Sequence, residues 1–150
     1  MITRKLRRQS VEERPYEIWN AFVSLLAAES YANLDLVQRC TYLCFWYDSE
    51  LQNGGHLQYF ENRQTSLVPP TLEALKQLGA ECQFAVLKRA ARLVSAGREK
   101  SQTVEDFVNL AKAREFEQFD SAFYACEPSI KKLLEKYLQE HLSHFVEIIE

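Results

Sequence analysis

The stretch ELQNGGHLQYFEN, Glu50 to Asn62, holds two of the four glycines of the chain, side by side. Paired glycines ahead of a helix can cradle a phosphate or turn one helix into the next. A phosphate loop needs a preceding strand and a Gly-Lys-Ser/Thr ending. Here an apolar helical pattern precedes the pair and His56-Leu57-Gln58 follows it. A dinucleotide fingerprint needs a third glycine in a βαβ setting, and the chain offers neither. Asn and Gly tolerate the positive φ that ends a helix and reverses the chain. Asn53-Gly54-Gly55 therefore reads as a junction between two helices, with anion binding at the second helix's N-terminus as the alternative.

Helical periodicity continues on both sides. Tyr16, Trp19, Phe22, Val23 and Leu26 recur at three- and four-residue spacing, which makes one apolar face. Asn33 is placed to cap a second helix, with Leu36, Cys40, Leu43, Cys44, Tyr47 and Leu51 inward, ending at the glycine pair. A shorter piece then carries Leu57, Tyr59 and Phe60. The prolines of RQTSLVPP (63–70) interrupt the helical pattern, Thr71 opens the next helix and Gly79 closes it. A helix is expected over 81–95, stopped by Gly97, and another capped by Thr103 with Asp106 three residues on. FDSAFYACEP (119–128) reads as a short aromatic helical turn, and Pro128 starts a last helix running through Ile148. No segment shows sustained period-two alternation. The expectation is an all-α, single-domain, compact bundle of about six to eight helices over residues 15–150. Residues 1–14 form a basic arm, expected as a solvated, frayed terminus.

Of 150 residues, 21 are acidic and 18 basic, a net charge of −3. Residues 1–14 balance to +3, residues 15–100 to −1 and residues 101–150 to −5. An acidic C-terminal third argues against direct nucleic-acid binding. No apolar run approaches the roughly 18 residues of a membrane helix, so a cytoplasmic protein without a membrane partner is expected. Its four cysteines then read as reduced core thiols.

Little else looks like chemistry. Cys40 and Cys44 are four apart, and His141 and His144 three apart, but paired zinc-binding motifs are missing. No catalytic residue, cofactor or metal ligand is assigned, and the chain reads as a non-enzyme. The amides Gln58 and Asn62 share a helix face beside Tyr59 and Phe60, where a buried amide must find a partner. They are expected to tie helix ends together. A polar pocket lined by Asp48, His56, Gln58 and Asn62 is the competing reading, for a small-ligand binder or an enzyme. Most carboxylates, Glu50 among them, read as solvated helix faces. Asp120, between Phe119 and Phe123, needs a partner or a cap to satisfy.

The blocks ELQNGGHLQYFEN, LEALKQLGAE, FEQFDSAFY and KYLQEHLSHF, in this order and spacing, resemble a bacterial domain family of unknown function named after a DNA-mimic protein. The resemblance runs from about Pro15 to Phe145. It implies an all-α fold without a catalytic site, a homodimer, and Asn53, Gly54, Gly55, Gln58, Phe60 and Asn62 as fold-defining positions. In the named member, acidic side chains imitate DNA phosphates and occupy the DNA-binding surface of a transcriptional regulator. The resemblance therefore implies a protein partner of that kind. The acidic face for it here would be Glu105, Asp106, Glu115 and Glu117, in a stretch interrupted by Lys112 and Arg114.

Overall fold

The computed structural model describes residues 1–95 and 115–150. Among these residues the order is β1 (Arg4–Arg7), α1 (Arg8–Glu13), α2 (Glu17–Ala28), α3 (Leu36–Asn62), α4 (Val68–Leu78), α5 (Glu81–Ser95), α6 (Glu117–Ala125), α7 (Ile130–Glu140) and β2 (Val146–Ile149). The expected helical domain is observed. The expected helix capped by Thr103, and the acidic positions Glu105 and Asp106, lie outside the described residues.

Helix α3 is the centre of the body, packed by α2, α4, α6 and α7. Its face carries Leu43, Cys44, Tyr47 and Leu51, all buried, against Phe22, Leu25 and Leu26 of α2, Leu75 of α4 and Leu134 of α7. These are the positions that three- and four-residue spacing selects. Tyr16 departs from that pattern: it precedes α2 and is 62% exposed.

Four local expectations are corrected. Asp35, not Asn33, caps α3, because Asn33 belongs to a 3₁₀ turn while Asp35 is extended. The Asp35 carboxylate accepts the Gln38 N–H at 2.8 Å, and the Gln38 side chain accepts the Asp35 N–H at 3.0 Å, closing a capping box. Pro69 and Pro70 lie inside the first turn of α4, which begins at Val68 rather than Thr71. The first turn has no internal partner for its N–H groups, so proline costs nothing there. Gly79 does close α4, at φ +86°.

The other two corrections concern the chain ends. The last helix stops at Glu140, and residues 146–149 form a strand instead of further helical turns. The basic arm is not frayed: Arg4–Arg7 pairs in parallel with Val146–Ile149, with Arg4 opposite Val146. Four-residue strands are too short for alternation to show in the sequence. Parallel pairing needs a long crossover, and here the whole helical body supplies it. Arg4 also pairs with Glu29 at 3.2 Å.

Gln38 fastens this ribbon to the body. Its side chain is fully buried, and its amide nitrogen donates to the carbonyls of Ile2 and His144, each at 2.6 Å. The His144 ring in turn meets Asp35 Oδ2 at 3.0 Å. Burial alone would raise the Asp35 pKa, but the Gln38 N–H and the His144 ring outweigh it, and the net direction is down. A carboxyl lowered by folding stabilises the fold above its unfolded pKa of about 3.9, and loses that contribution as pH falls through the lower folded value. Asp35→Ala should therefore cost about 1 kcal/mol at pH 6. Urea midpoints of the two proteins should converge as the pH is taken below about 3.9.

Candidate functional site

Helix α3 is two helices joined at a kink. Gly54 (φ −157°, ψ 15°) and Gly55 (φ 74°, ψ −169°) leave the helical region, and the helix restarts at His56. The φ of Gly55 is one that side-chain-bearing residues rarely adopt. Space forbids a side chain there as well: a Cβ on Gly55 would run into the carboxylate of Asp120, and one on Gly54 into the Gln58 amide.

Asp120 comes from α6, 64 residues further on. Its Oδ1 accepts the His56 backbone N–H at 2.8 Å and lies 2.7 Å from His56 Nδ1. The restarting helix has orphan N–H groups at its first turn, and Asp120 caps one of them from a different element. His56 Nε2 is 2.7 Å from the Tyr47 hydroxyl. Burial, then the charges of Tyr59, Asp120 and Asp48, pushes the Tyr47 pKa well up. The phenol thus keeps its proton, and the ring bridges Tyr47 and Asp120 through its two nitrogens, Nδ1–H donating to the carboxylate. The His56 ring is fully buried, surrounded by Phe60, Phe119 and Phe123.

A second network closes the outer side of the kink. Glu50, one turn ahead of it, is 6% exposed. Its Oε2 accepts from Gln58 Nε2 at 2.7 Å and Asn62 Nδ2 at 3.0 Å. Its Oε1 accepts from two nitrogens of Arg63, both at 3.1 Å. The Arg63 guanidinium lies 3.9 Å over the Trp46 ring, and Asn53 donates to Gln58 Oε1 at 3.2 Å. A buried carboxylate is tolerated when it is paired and its remaining lone pairs are used; both conditions hold.

The structure thus brings together Asn53, Gly54, Gly55, Gln58, Asn62 and Asp120, while Phe60 packs in the core against Phe116. Glu50 is corrected: it is a buried hub, not a solvated acid. The tie expected from Gln58 and Asn62 is made to this carboxylate. Arg63 and Tyr47 carry parts of the site that sequence reasoning missed. The available signal was the Gln58–Asn62 spacing with Arg63 adjacent, but an acid across a kink cannot be placed by helical counting.

The residues of the competing polar-pocket reading bond to separate partners. His56 faces Tyr47 and Asp120, Gln58 and Asn62 face Glu50, and Asp48 meets Gln52 at 3.4 Å. A groove of about 530 Å³ lies elsewhere, between the end of α4 and α7, lined by Gln77, Leu78, Leu133, Lys136, Tyr137 and His141 among others. His141 and His144 serve separate partners, the Tyr137 carbonyl and Asp35. Cys40 and Cys44 are buried free thiols, as expected. The other two cysteines are not: Cys82 and Cys126 form a disulfide. Glu115 is half-buried and Glu117 is exposed in the first turn of α6. Among the described residues no helix is long and apolar enough to cross a membrane.

The polar side chains gathered at this junction hold one kink in the long central helix of a helical domain. Over residues 32–141 the chain matches the model of the DMP19-like protein family, and it belongs to that family. No curated protein and no solved structure matches it.

Two substitutions probe the kink. Gly55→Ala should cost at least about 2 kcal/mol by urea unfolding, from the left-handed φ and the lost room for Asp120. The same change made on Asp120→Ala should cost less, since only the φ strain remains. Glu50→Ala should cost about 3–5 kcal/mol, because it strands the buried end of Arg63 and two amides. Glu50→Gln should recover only part of this, since its NH₂ cannot accept from the donors on that side.

Proposed function

We propose that this DMP19-like chain is a non-enzymatic protein–protein interaction domain, and that its partner is a DNA-binding protein met through carboxylates standing in for phosphates. One observation supports the non-enzymatic part above others. The groups best suited to acid–base work, Asp120, His56, Tyr47 and Glu50, are bonded to one another or to amides and Arg63, and His56 is sealed from solvent.

The docking face in this reading is α6 with its flanks. Residues 115–130 carry Glu115, Glu117, Asp120 and Glu127 and no Lys or Arg. Glu117 and Glu127 are exposed. Tyr124 is 53% exposed, and its hydroxyl donates to the Leu51 carbonyl, so a rigid aromatic stands among the acids. Tyrosines of this kind anchor protein interfaces at little entropic cost. On α7 the exposed charges are of mixed sign, Lys131, Lys132, Glu135, Lys136 and Glu140, so the imitation is confined to one face. The homodimer implied by the resemblance is part of the same proposal, and light scattering at several concentrations tests it.

The partner should be captured from native lysate at low salt, released at high salt, and displaced by short duplex DNA. Glu127→Lys should weaken the capture at least about fivefold while leaving the unfolding free energy within about 0.5 kcal/mol. Recovery of no salt-sensitive partner, or of one indifferent to duplex DNA, would sink this reading.

A further inference from the structure

The disulfide between Cys82 and Cys126 spans 44 residues of sequence and ends within two helical turns of Asp120. Cys82 lies in the first turn of α5 and is exposed, whereas Cys126 directly follows α6 and is buried. Helix α6 has only nine residues, and it is the element that delivers Asp120 to the kink of α3. Its other anchors include Phe116 and Phe123 in the core, Phe119 and Ala122 packed against it, the Asp120 bonds to His56, the Tyr124 bond to Leu51 and, just beyond the helix, the Gln83 bond to the Pro128 carbonyl. A nine-residue helix is too short to persist alone, so its local stability rests on its tertiary anchors, and the one covalent anchor at its C-terminal end is among the strongest of them.

We propose that Cys82–Cys126 is a redox latch, a reversible modification site through which a small dithiol or a dithiol-bearing reductase controls how firmly α6 clamps the Gly55 kink. The exposure decides the course of the exchange. A thiolate of the dithiol attacks Sγ of Cys82, the exposed residue of the pair, and forms a mixed disulfide. The Cys82–Cys126 bond breaks, and its electron pair leaves on Cys126 Sγ, which takes a proton. The second thiol of the reductant then attacks its own sulfur in the mixed disulfide and releases Cys82 as a thiolate. The reductant becomes a disulfide, the protein becomes a dithiol, and two electrons have moved. Cys40 and Cys44 take no part, since both are buried in the core.

This inference rests on the kink geometry and not on the identity of any partner. The whole chain, purified without reductant, is titrated with dithiothreitol at neutral pH. Iodoacetamide labelling reads the thiols, far-UV circular dichroism reads the fold, and amide exchange reads residues 53–60. Reduction should expose Cys82 and Cys126 to labelling before any helix is lost, with Cys40 and Cys44 still protected. Exchange across 53–60 should then become at least about tenfold faster. Cys82→Ser should show that faster exchange without reductant, and reoxidation of the reduced wild type should reverse it. In Asp120→Ala the exchange should already be fast and should no longer respond to reductant. The latch is overturned if Cys82 and Cys126 label without reductant, if the bond opens only as the helices unfold, or if it opens and the exchange across 53–60 does not change. The reductant titration uses wild-type protein, so the test survives even if Cys82→Ser folds poorly.

Discussion

The carboxylate of Asp120 occupies a point where the backbone of α3 has lost its own hydrogen bonds. A helix that breaks and restarts must find acceptors for the first N–H groups of the new turn. In this chain the acceptor arrives from α6, and with it comes the order of everything nearby. Gly55 has to be glycine because Asp120 stands where its Cβ would be. His56 is buried with its ring held between that carboxylate and the Tyr47 phenol. Phe119 and Phe123, on either side of Asp120 in sequence, close the ring off from water.

Glu50 plays the complementary part on the outer side. A buried carboxylate is costly alone, yet four donors and the Trp46 face over Arg63 leave none of its capacity unused. The two networks grip the kink from opposite sides, one within the chain segment 50–63 and one from α6. The angle between the halves of α3 is therefore set by polar contacts, while the surrounding helices fill the space around it. Gln38 does the same work at the other end of α3, where one buried amide holds both chain ends.

Helical periodicity was legible wherever a helix runs unbroken: Phe22, Leu25 and Leu26, or Leu43, Tyr47 and Leu51, fall on their faces by counting. The glycine pair was legible as a junction because no phosphate-loop context surrounds it. Asp120 was legible as an acid in need of a partner, though not which partner. Glu50 was misread because its partners lie across the kink, beyond the reach of i, i+4 reasoning. The parallel ribbon was misread because strands of four residues carry no periodic signal, and their pairing joins positions about 140 apart. The disulfide was missed because a spacing of 44 residues says nothing about proximity.

The sequence by itself determined that this is a helical domain with a sharp break after Asn53, because side-chain pattern and glycine geometry act over a few residues. It also carried the order of blocks that places the chain among DMP19-like proteins. Only the tertiary structure decided what the break is for in the fold: a socket for Asp120, lined by His56 and Tyr47 and clasped by Glu50. Such a socket depends on which distant carboxylate, ring and thiol meet at hydrogen-bonding or bonding distance, and that is fixed by packing in three dimensions, not by any local spacing.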